Sequence, residues 1–336
     1  MTIYSRVKRK FDMISTEPNI MNNHCVVKEF GVCVGKTLKW LNVVDALTGY
    51  RTSFYKKKIS SFIEKDFEPL LNEYRKQKCI VQNVDSNKKM HVWVLWWQGL
   101  DCAPDVVREC IRSQQRNLNS EQYEYHLLTE NSVWNYVSLS DNIKTKYNNG
   151  QITLTHLSDI IRANLLANYG GIWIDATIYM SDSFPEEVRT VSFYSNRKNL
   201  DSMNQRKMIS SGRWTSYFMK AERGNKLLKF MCDAFELYWE KHNALIDYWL
   251  VDYTIYAAYK NIPAIREEID LVPYNNQNIF NLFVHRNEPY DEQKFSELTK
   301  NTILHKQSYK YNYTKIDEKG SLTNWGYVCK GEEHES

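Results

Sequence analysis

The segment from residue 156 to residue 177 constrains the fold of this 336-residue chain more than any other segment does. Its apolar residues recur at the spacing of an α-helix with one buried face: Leu157, Ile160, Ile161 and Leu165. The consecutive glycines Gly170 and Gly171 then supply the positive-φ positions at which helices end. Residues 172–174, Ile-Trp-Ile, follow as a short apolar strand. The segment therefore predicts a helix, a Gly-Gly stop and a buried strand.

Charged side chains of this segment are expected to meet at one place. Asp159 and Arg162 form an i,i+3 pair on the helix, and Ser158 lies beside them. Asp175 follows the strand directly. In open α/β sheets, ligands bind beyond the carboxyl ends of the strands. The pattern thus predicts a polar ligand site where the helix pair and the strand-end carboxylate converge.

The rest of the chain alternates strands and helices. Residues 91–97 and 123–128 read as buried strands, and a helix begins near Pro104 between them. This alternation predicts an α/β fold with a parallel sheet wound by helices. Further predicted elements are helices over residues 59–78, 131–137, 225–242 and 244–260 and strands over residues 191–195 and 214–220. Residues 261–310 are expected to be irregular, and the polar tail from 317 is expected to be mobile at its end.

Charge and cysteine content limit the class of protein. The net charge of +4 is too small to indicate nucleic-acid binding. Two basic clusters, residues 6–10 and 56–58, favour solvated surface, with an anionic membrane surface as the alternative. The seven cysteines contain no Cys-x-x-Cys, which indicates free thiols in a reducing compartment. With no signal-peptide pattern and no apolar stretch longer than 92–97, we expect a cytoplasmic protein.

Residues 158–177 resemble the sugar-nucleotide-binding core of the capsular polysaccharide synthesis glycosyltransferases. These are relatives of a larger group that shares Ser-Asp-x-x-Arg-x-x-x-Leu-x-x-x-Gly-Gly-x-Tyr-x-Asp-x-Asp. The matching residues are Ser158, Asp159, Arg162, Leu166, Gly170, Gly171 and Asp175. Trp173 stands at the aromatic position and Thr177 replaces the second Asp. The Asp-Ala-Thr ending, residues 96–99 and residues 103–104 look like the capsular subfamily, and the resemblance spans roughly residues 90–310.

The resemblance implies a glycosyltransferase type A fold, which is a Rossmann-like nucleotide-sugar-binding fold, here with additional helices. The implied domains are a mainly helical extension over 1–88, a catalytic domain over 89–315 and a polar tail over 316–336. The implied activity is transfer of a hexose from a nucleotide sugar, favouring UDP, to a capsular or other surface-polysaccharide acceptor with retention of configuration. The acceptor is a saccharide or a lipid-linked saccharide, which would place the protein at the inner face of the membrane.

The resemblance and the residue types together suggest individual roles. Asp175 is expected to be catalytic, and Asp252, a carboxylate on an apolar helix, is a candidate for the acceptor side or for a buried pair. The predicted donor-binding residues are Trp97, Gln98, Ser158, Asp159, Arg162, Gly171, Thr177 and Lys306. One of Trp96 and Trp97 is expected in the core, while the other stacks on the nucleotide base. For the helix pair, a surface salt bridge is the alternative.

A divalent cation is the predicted cofactor. A leaving diphosphate needs a cation or fixed positive groups, and hard oxygen ligands suit Mn²⁺ or Mg²⁺. The expected protein ligands are Asp175 and His305, the latter because it resembles a late His of the larger group. Since Thr177 offers only a neutral hydroxyl, basic side chains such as Lys306 are the alternative source of charge.

Two other classes of function remain open from the sequence. One is a phosphosugar or polyol-phosphate transferase of polysaccharide assembly. The other is a non-catalytic nucleotide- or glycan-binding relative. The chain contains no Gly-x-Gly-x-x-Gly, Walker loop, His-Glu-x-x-His or Gly-x-Ser-x-Gly motif, which argues against the common competing enzyme classes.

Overall fold

The computed structural model describes residues 53–77 and 89–330. Several features noted in the sequence lie outside these residues. They are the basic cluster over 6–10, Cys25, Cys33, Cys79 and the linker predicted over 83–89 apart from Lys89. Within the described ranges, no helix has both the length and the apolar character needed to cross a bilayer.

A mixed five-stranded sheet lies at the centre of the described chain. The strands in chain order are β1 Met90–Leu95, β2 Tyr123–Leu128, β3 Gly171–Ile174, β4 Ile178–Met180, β5 Phe193–Ser195, β6 Phe218–Ala221 and β7 Leu304–Lys306. The order in the sheet is β2-β1-β3-β6-β5, while β4 and β7 pair as a separate antiparallel ribbon. This α/β architecture is compatible with a Rossmann-like fold.

Helices pack around the sheet. They are α1 Ser53–Asp66, α2 Glu68–Lys76, α3 Asp105–Asn117, α4 Asp141–Asn148, α5 Leu154–Asn168, α6 Glu186–Thr190, α7 Ser202–Lys207, α8 Lys226–Lys241, α9 Leu250–Asn261, α10 Pro263–Asp270, α11 Asn281–Val284, α12 Glu292–Thr299 and α13 Asn324–Lys330. Helix α3 connects β1 to β2, and helices α4 and α5 connect β2 to β3. The core between the layers includes the fully buried aromatics Trp93, Trp214 and Trp239.

The prediction of a parallel sheet is correct for half of the sheet. Strand β1 runs parallel to both β2 and β3. Strand β6 is antiparallel to β3 and to β5, which the alternation did not predict. Parallel neighbours need a crossover, usually a helix, and the segment between β5 and β6 carries only the six-residue α7.

The segment over residues 156–177 folds as predicted. Helix α5 begins after Thr153, whose hydroxyl accepts a hydrogen bond from the His156 amide, and it ends at Asn168 with Tyr169 as its cap. Gly170 and Gly171 have φ values of +72° and +97°. A Cβ on Gly171 would lie 2.2 Å from the carbonyl oxygen of His91, so both the backbone angle and the contact with β1 require glycine. The stop therefore fixes β3 against β1.

Several predicted boundaries are wrong for local reasons. The helix predicted over 59–78 is two helices, because Pro69 in the first turn of α2 has no amide to continue α1. The predicted helix over 131–137 is a single 3₁₀ turn at Val133–Asn135. The helix predicted over 244–260 begins only at Leu250. The Asp247 carboxylate accepts a hydrogen bond from the Trp249 amide, and this local bond holds the preceding residues in a turn.

The carboxyl-terminal part is more regular than predicted. Residues 261–310 contain helices α10 to α12 and strand β7. Residues expected in a polar tail form helix α13, in which Trp325 and Val328 are buried. At the other end of the described chain, α1 and α2 pack on α9 and α8, where the Tyr74 hydroxyl donates to Asp233 at 2.5 Å.

Candidate functional site

Asp175 lies directly after β3, at the carboxyl end of the parallel strands. Its amide donates to the carbonyl oxygen of Tyr217 at 2.9 Å, which fixes the backbone beside β6. The Trp173 indole donates to Asp175 Oδ1 at 2.9 Å. The side chain keeps 26% of its surface exposed, so a ligand can still reach this carboxylate.

Arg162 of α5 joins the helix pair to this strand end. Its Nη1 donates to Asp159 Oδ1 at 2.5 Å, and its Nη2 lies 3.4 Å from Asp175 Oδ1. The guanidinium also stacks over the Trp173 ring, 4.7 Å from the centroid. The predicted convergence of the helix pair and the strand-end carboxylate is therefore confirmed.

The Asp159–Arg162 pair is buried, so the alternative of a surface salt bridge is wrong. The two side chains expose 9% and 5% of their surfaces. Asp159 also lies 3.7 Å from Nδ1 of His156, and the Trp239 indole donates to the opposite nitrogen of that ring. Removing one partner of a buried pair leaves an uncompensated charge, which makes this pair a fixed part of the site.

Lys306 completes the site from strand β7. Its Nζ donates to Asp175 Oδ2 at 2.6 Å and to Thr177 Oγ1 at 2.7 Å. The pairing of Lys306 with Ile178 across the ribbon brings the lysine beside this pair. Its amide donates to the Ile279 carbonyl, and its ammonium lies 5.3 Å from the centroid of the Tyr217 ring. A fixed cation thus lies between the two side chains of the Asp-Ala-Thr motif.

The electrostatics of the site keep Asp175 ionised. Desolvation is the largest single influence and opposes ionisation, but the charges of Lys306 and Arg162 together with the hydrogen bonds to the carboxylate outweigh it. Hydrogen bonds from Lys306 and Trp173 act in the same direction, and the pKa of Asp175 lies below its ordinary value. The site therefore presents one carboxylate held between two cations at neutral pH.

A family model described as capsular polysaccharide synthesis protein matches residues 47–324, most of the chain. The chain belongs to the capsular polysaccharide synthesis protein family. The match extends on both sides of the span predicted from the sequence. Among curated proteins, no significant relative is found.

The other predicted site residues lie partly at this edge and partly away from it. Trp97 packs edge-on against Trp134 and Tyr147, and Gln98 is exposed at the carboxyl end of β1. The sequence predicted that one of Trp96 and Trp97 lies in the core and that the other stacks on the nucleotide base. Trp96 packs against Tyr309. Its indole nitrogen is buried and has no hydrogen-bond partner among the described residues. Ser158 is half-buried on α5. Gly171, predicted to bind the donor, is the first residue of β3 and packs on the backbone of His91, so the structure places it at the opposite end of the strand from Asp175.

Asp252 lies near this edge on the first turn of α9. Its Oδ1 accepts a hydrogen bond from the Trp214 indole at 2.9 Å. Burial raises the pKa of Tyr217, and the negative charges of Asp175 and Asp252 raise it further. Tyr217 therefore lies within electrostatic range of both predicted catalytic carboxylates.

The residues present do not fit the cation site predicted from Asp175 and His305. Adjacent residues of a strand point to opposite faces, so His305 points away from the side on which Lys306 meets Asp175. The fully buried His305 has Nε2 3.1 Å from the Ser181 hydroxyl. Burial lowers the pKa of His305 to about 4. Both oxygens of Asp175 already accept hydrogen bonds, one of them from the Lys306 ammonium.

Sequence reasoning missed three residues that shape the site. Trp173 was assigned only by its aromatic type, yet its indole orients Asp175. Tyr217 lies under Lys306 and donates to Asn196 at 3.0 Å. The Gln114 amide donates to the carbonyl oxygens of Asp175 and Ile178, which fixes the turn between β3 and β4. Of the three, only Trp173 could have been found from the sequence, because it lies on β3, two residues before Asp175.

Proposed function

We propose that this protein is a glycosyltransferase of the type A fold that transfers a hexose from a nucleotide sugar, favouring UDP, to a capsular or other surface-polysaccharide acceptor. The observation that carries the proposal is the charge chain Asp159–Arg162–Asp175–Lys306 at the carboxyl edge of β3, buried at its first two members and partly exposed at its last two. Membership of the capsular polysaccharide synthesis family supports the biosynthetic role.

The charge chain suits a reaction in which a diphosphate leaves. Negative charge develops on that group, and fixed positive groups in a partly dry site stabilise it without reorganising. Arg162 and Lys306 are the two cations beside Asp175, and the Lys306 side chain is 21% exposed. The Nε of Arg162 is buried and has no hydrogen-bond partner among the described residues, so in this proposal the guanidinium acts on the leaving group through its charge.

Asp175 and Asp159 take different roles in this proposal. The partly exposed Asp175 accepts hydrogen bonds from the donor sugar at the edge of the sheet. Asp159, which is buried against Arg162 and His156, positions the guanidinium. The exposed Gln98, together with Trp97 or Trp96, binds the nucleotide base, and Asp252 lies on the acceptor side.

Lys306 supplies the positive charge between Asp175 and Thr177 in this proposal. The lysine contacts both side chains, whereas His305 lies on the other face of the ribbon. The prediction of Mn²⁺ or Mg²⁺ as the cofactor is tested directly by measuring transfer in excess chelator. No step of the proposed reaction is assigned to a divalent cation.

The experiment compares donor use by the wild type and by Asp175→Asn. The purified protein is incubated with a panel of nucleotide sugars, with and without oligosaccharide acceptors, and released nucleotides are separated by chromatography. Asp175→Asn keeps the size and removes the charge, so we expect transfer to fall by about 10²-fold or more while the fold survives. Asp141→Asn, whose side chain is fully exposed, is the matched control.

The released nucleotide separates the classes of function. A nucleoside diphosphate supports the glycosyltransferase, and a nucleoside monophosphate identifies a phosphosugar or polyol-phosphate transferase instead. Binding of donors with no release of nucleotide by the folded wild type contradicts an enzymatic role. Equal turnover by the wild type and by folded Asp175→Asn contradicts the assigned role of the carboxylate.

A further inference from the structure

A second group of chemically versatile side chains lies away from the charge chain. His91 of β1 and Glu124 and His126 of β2 project from neighbouring strands of the parallel sheet. Among residues 53–77 and 89–330, they form the one group of three or more His, Cys, Asp or Glu side chains whose ligand atoms all lie within 4.8 Å of one another. The three are hereafter called the His-Glu-His cluster.

The distances within the His-Glu-His cluster match those between ligands that share one ion. His91 Nδ1 lies 3.0 Å from His126 Nε2 and 3.3 Å from Glu124 Oε2, and His126 Nε2 lies 3.7 Å from Glu124 Oε1. Ligands bound to a tetrahedral Zn²⁺ at about 2.0–2.1 Å are about 3.3 Å apart. Two imidazoles and one carboxylate are a ligand set that Zn²⁺ uses with a water in the fourth position.

The surroundings of the cluster hold His126 in place. The His126 ring stacks on Trp93, with centroids 4.3 Å apart, and its Nδ1 lies 3.4 Å from the Tyr136 hydroxyl. Partners of this kind on the second ring nitrogen orient metal-binding histidines. The His126 side chain is 9% exposed, whereas Glu124 is 53% exposed, so an ion can enter from the Glu124 side.

The His-Glu-His cluster lies at the opposite end of the sheet from Asp175. His91 is the second residue of β1, and Trp93 pairs with Trp173 of β3, so the register places Asp175 beside Leu95. Leu95 lies four positions after His91 along the strand, which is about 13 Å. An ion here therefore joins β1 to β2 at their amino ends and does not take part in chemistry at Asp175.

We propose that the His-Glu-His cluster is a binding site for a divalent transition-metal ion, with Zn²⁺ as the best fit, that clamps the amino ends of β1 and β2. The site is independent of the proposed glycosyltransferase activity. Because an ion that binds only the folded state stabilises it by mass action, its presence raises the melting temperature.

The test is titration of the full chain, stripped of metal by a chelator and dialysed, with Zn²⁺ alone. Calorimetry is expected to give one high-affinity site, and the melting temperature is expected to rise with Zn²⁺ concentration. Glu124→Gln and His91→Gln each remove one ligand at a partly exposed position and should therefore fold. Since loss of an outer partner alone costs 10–100-fold in metal affinity, we expect each variant to weaken binding about 100-fold or more.

The matched control is His285→Gln, which removes the histidine of an exposed pair with Glu288 at 2.8 Å. It is expected to bind Zn²⁺ as the wild type does. Zn²⁺ binding that is absent from the wild type, or that is equal in the wild type, Glu124→Gln and His91→Gln, overturns the proposal. Co²⁺ substitution adds a visible spectrum typical of tetrahedral nitrogen and oxygen ligation, which both ligand variants should lose.

Discussion

Replacing Lys306 by methionine tests the central contact of the proposed site. Methionine is unbranched and similar in length, so the change removes the charge without opening a large gap. Asp175 then loses its partner at 2.6 Å and keeps the Trp173 indole and Arg162 at 3.4 Å. Thr177 loses a donor at 2.7 Å. The variant therefore measures what the positive charge of Lys306 alone contributes at Asp175.

The expected change in the free energy of unfolding follows from how far the Lys306–Asp175 pair is exposed. The two side chains are 21% and 26% exposed, between the surface and the buried limits. Exposed pairs contribute about 0–1 kcal/mol, and breaking a buried pair costs about 3–5 kcal/mol. We expect Lys306→Met to lower the free energy of unfolding by about 1–3 kcal/mol. Transfer is expected to fall by about 10²–10³-fold, the loss seen when one fixed group that stabilises developing charge is removed.

The assay is a double-mutant cycle in urea with Lys306→Met, Asp175→Asn and the double variant, together with transfer rates for each folded protein. Lys294→Met, an exposed lysine of α12, controls for the loss of a positive charge. A coupling energy of about 1–3 kcal/mol supports the contact. Additive effects within about 0.3 kcal/mol, or a folded Lys306→Met with wild-type transfer, refute the reasoning.

The same lysine gives an expectation for metal dependence. With Lys306 between Asp175 and Thr177, we expect wild-type transfer to persist in excess chelator. The combined change Thr177→Asp and Lys306→Met restores two carboxylates and frees the space between them, so transfer by that variant is expected to require Mn²⁺. Loss of wild-type transfer in chelator, with recovery on adding Mn²⁺, supports the divalent cation predicted from the sequence and contradicts the role given to Lys306.

Three further changes test the surrounding structure. Arg162→Met leaves Asp159 buried without its partner, and urea unfolding is expected to show a loss of about 3–5 kcal/mol, against about 1 kcal/mol for a surface pair. His305 is neutral when folded, so the unfolded chain binds an extra proton below pH 6.5. Stability should therefore fall by about 2 kcal/mol from about pH 7 to about pH 5, and His305→Gln should remove that part of the slope. Gly171→Ala places a Cβ against the His91 carbonyl at positive φ, and thermal unfolding should show a loss of about 2 kcal/mol or more; a loss under about 0.5 kcal/mol would contradict the required close approach.

Local patterns explain what the sequence could predict. Helix α5, the Gly-Gly stop and β3 follow from helical spacing, positive-φ glycines and an apolar run, all within 22 residues. The Asp159–Arg162 contact follows from i,i+3 geometry, yet its burial depends on α8, which supplies Trp239 beside His156. Burial by a distant helix leaves no mark on the segment itself, so the surface alternative stayed open until the fold was known.

The contacts that complete the site are long-range, and for that reason they were not predicted. Lys306 occurs in a run of polar residues and reads equally well as a surface lysine or as a phosphate ligand. Its partner Asp175 is 131 residues earlier, and only the pairing of β4 with β7 brings the two together. Short elements such as β7 and α11, with three and four residues, also carry too few positions for a periodic signal.

The β4–β7 ribbon also has a consequence for the order of folding. Arg162 and Asp175 are 13 residues apart and can meet early, while Lys306 reaches Asp175 only after a loop of 131 residues has closed. Closing so long a loop costs more chain entropy than a local contact does, and such contacts form late. During synthesis, a chain that has not yet emerged as far as β7 therefore holds the Asp175 carboxylate without its lysine. The contact that we propose to support transfer is therefore among the late ones to form.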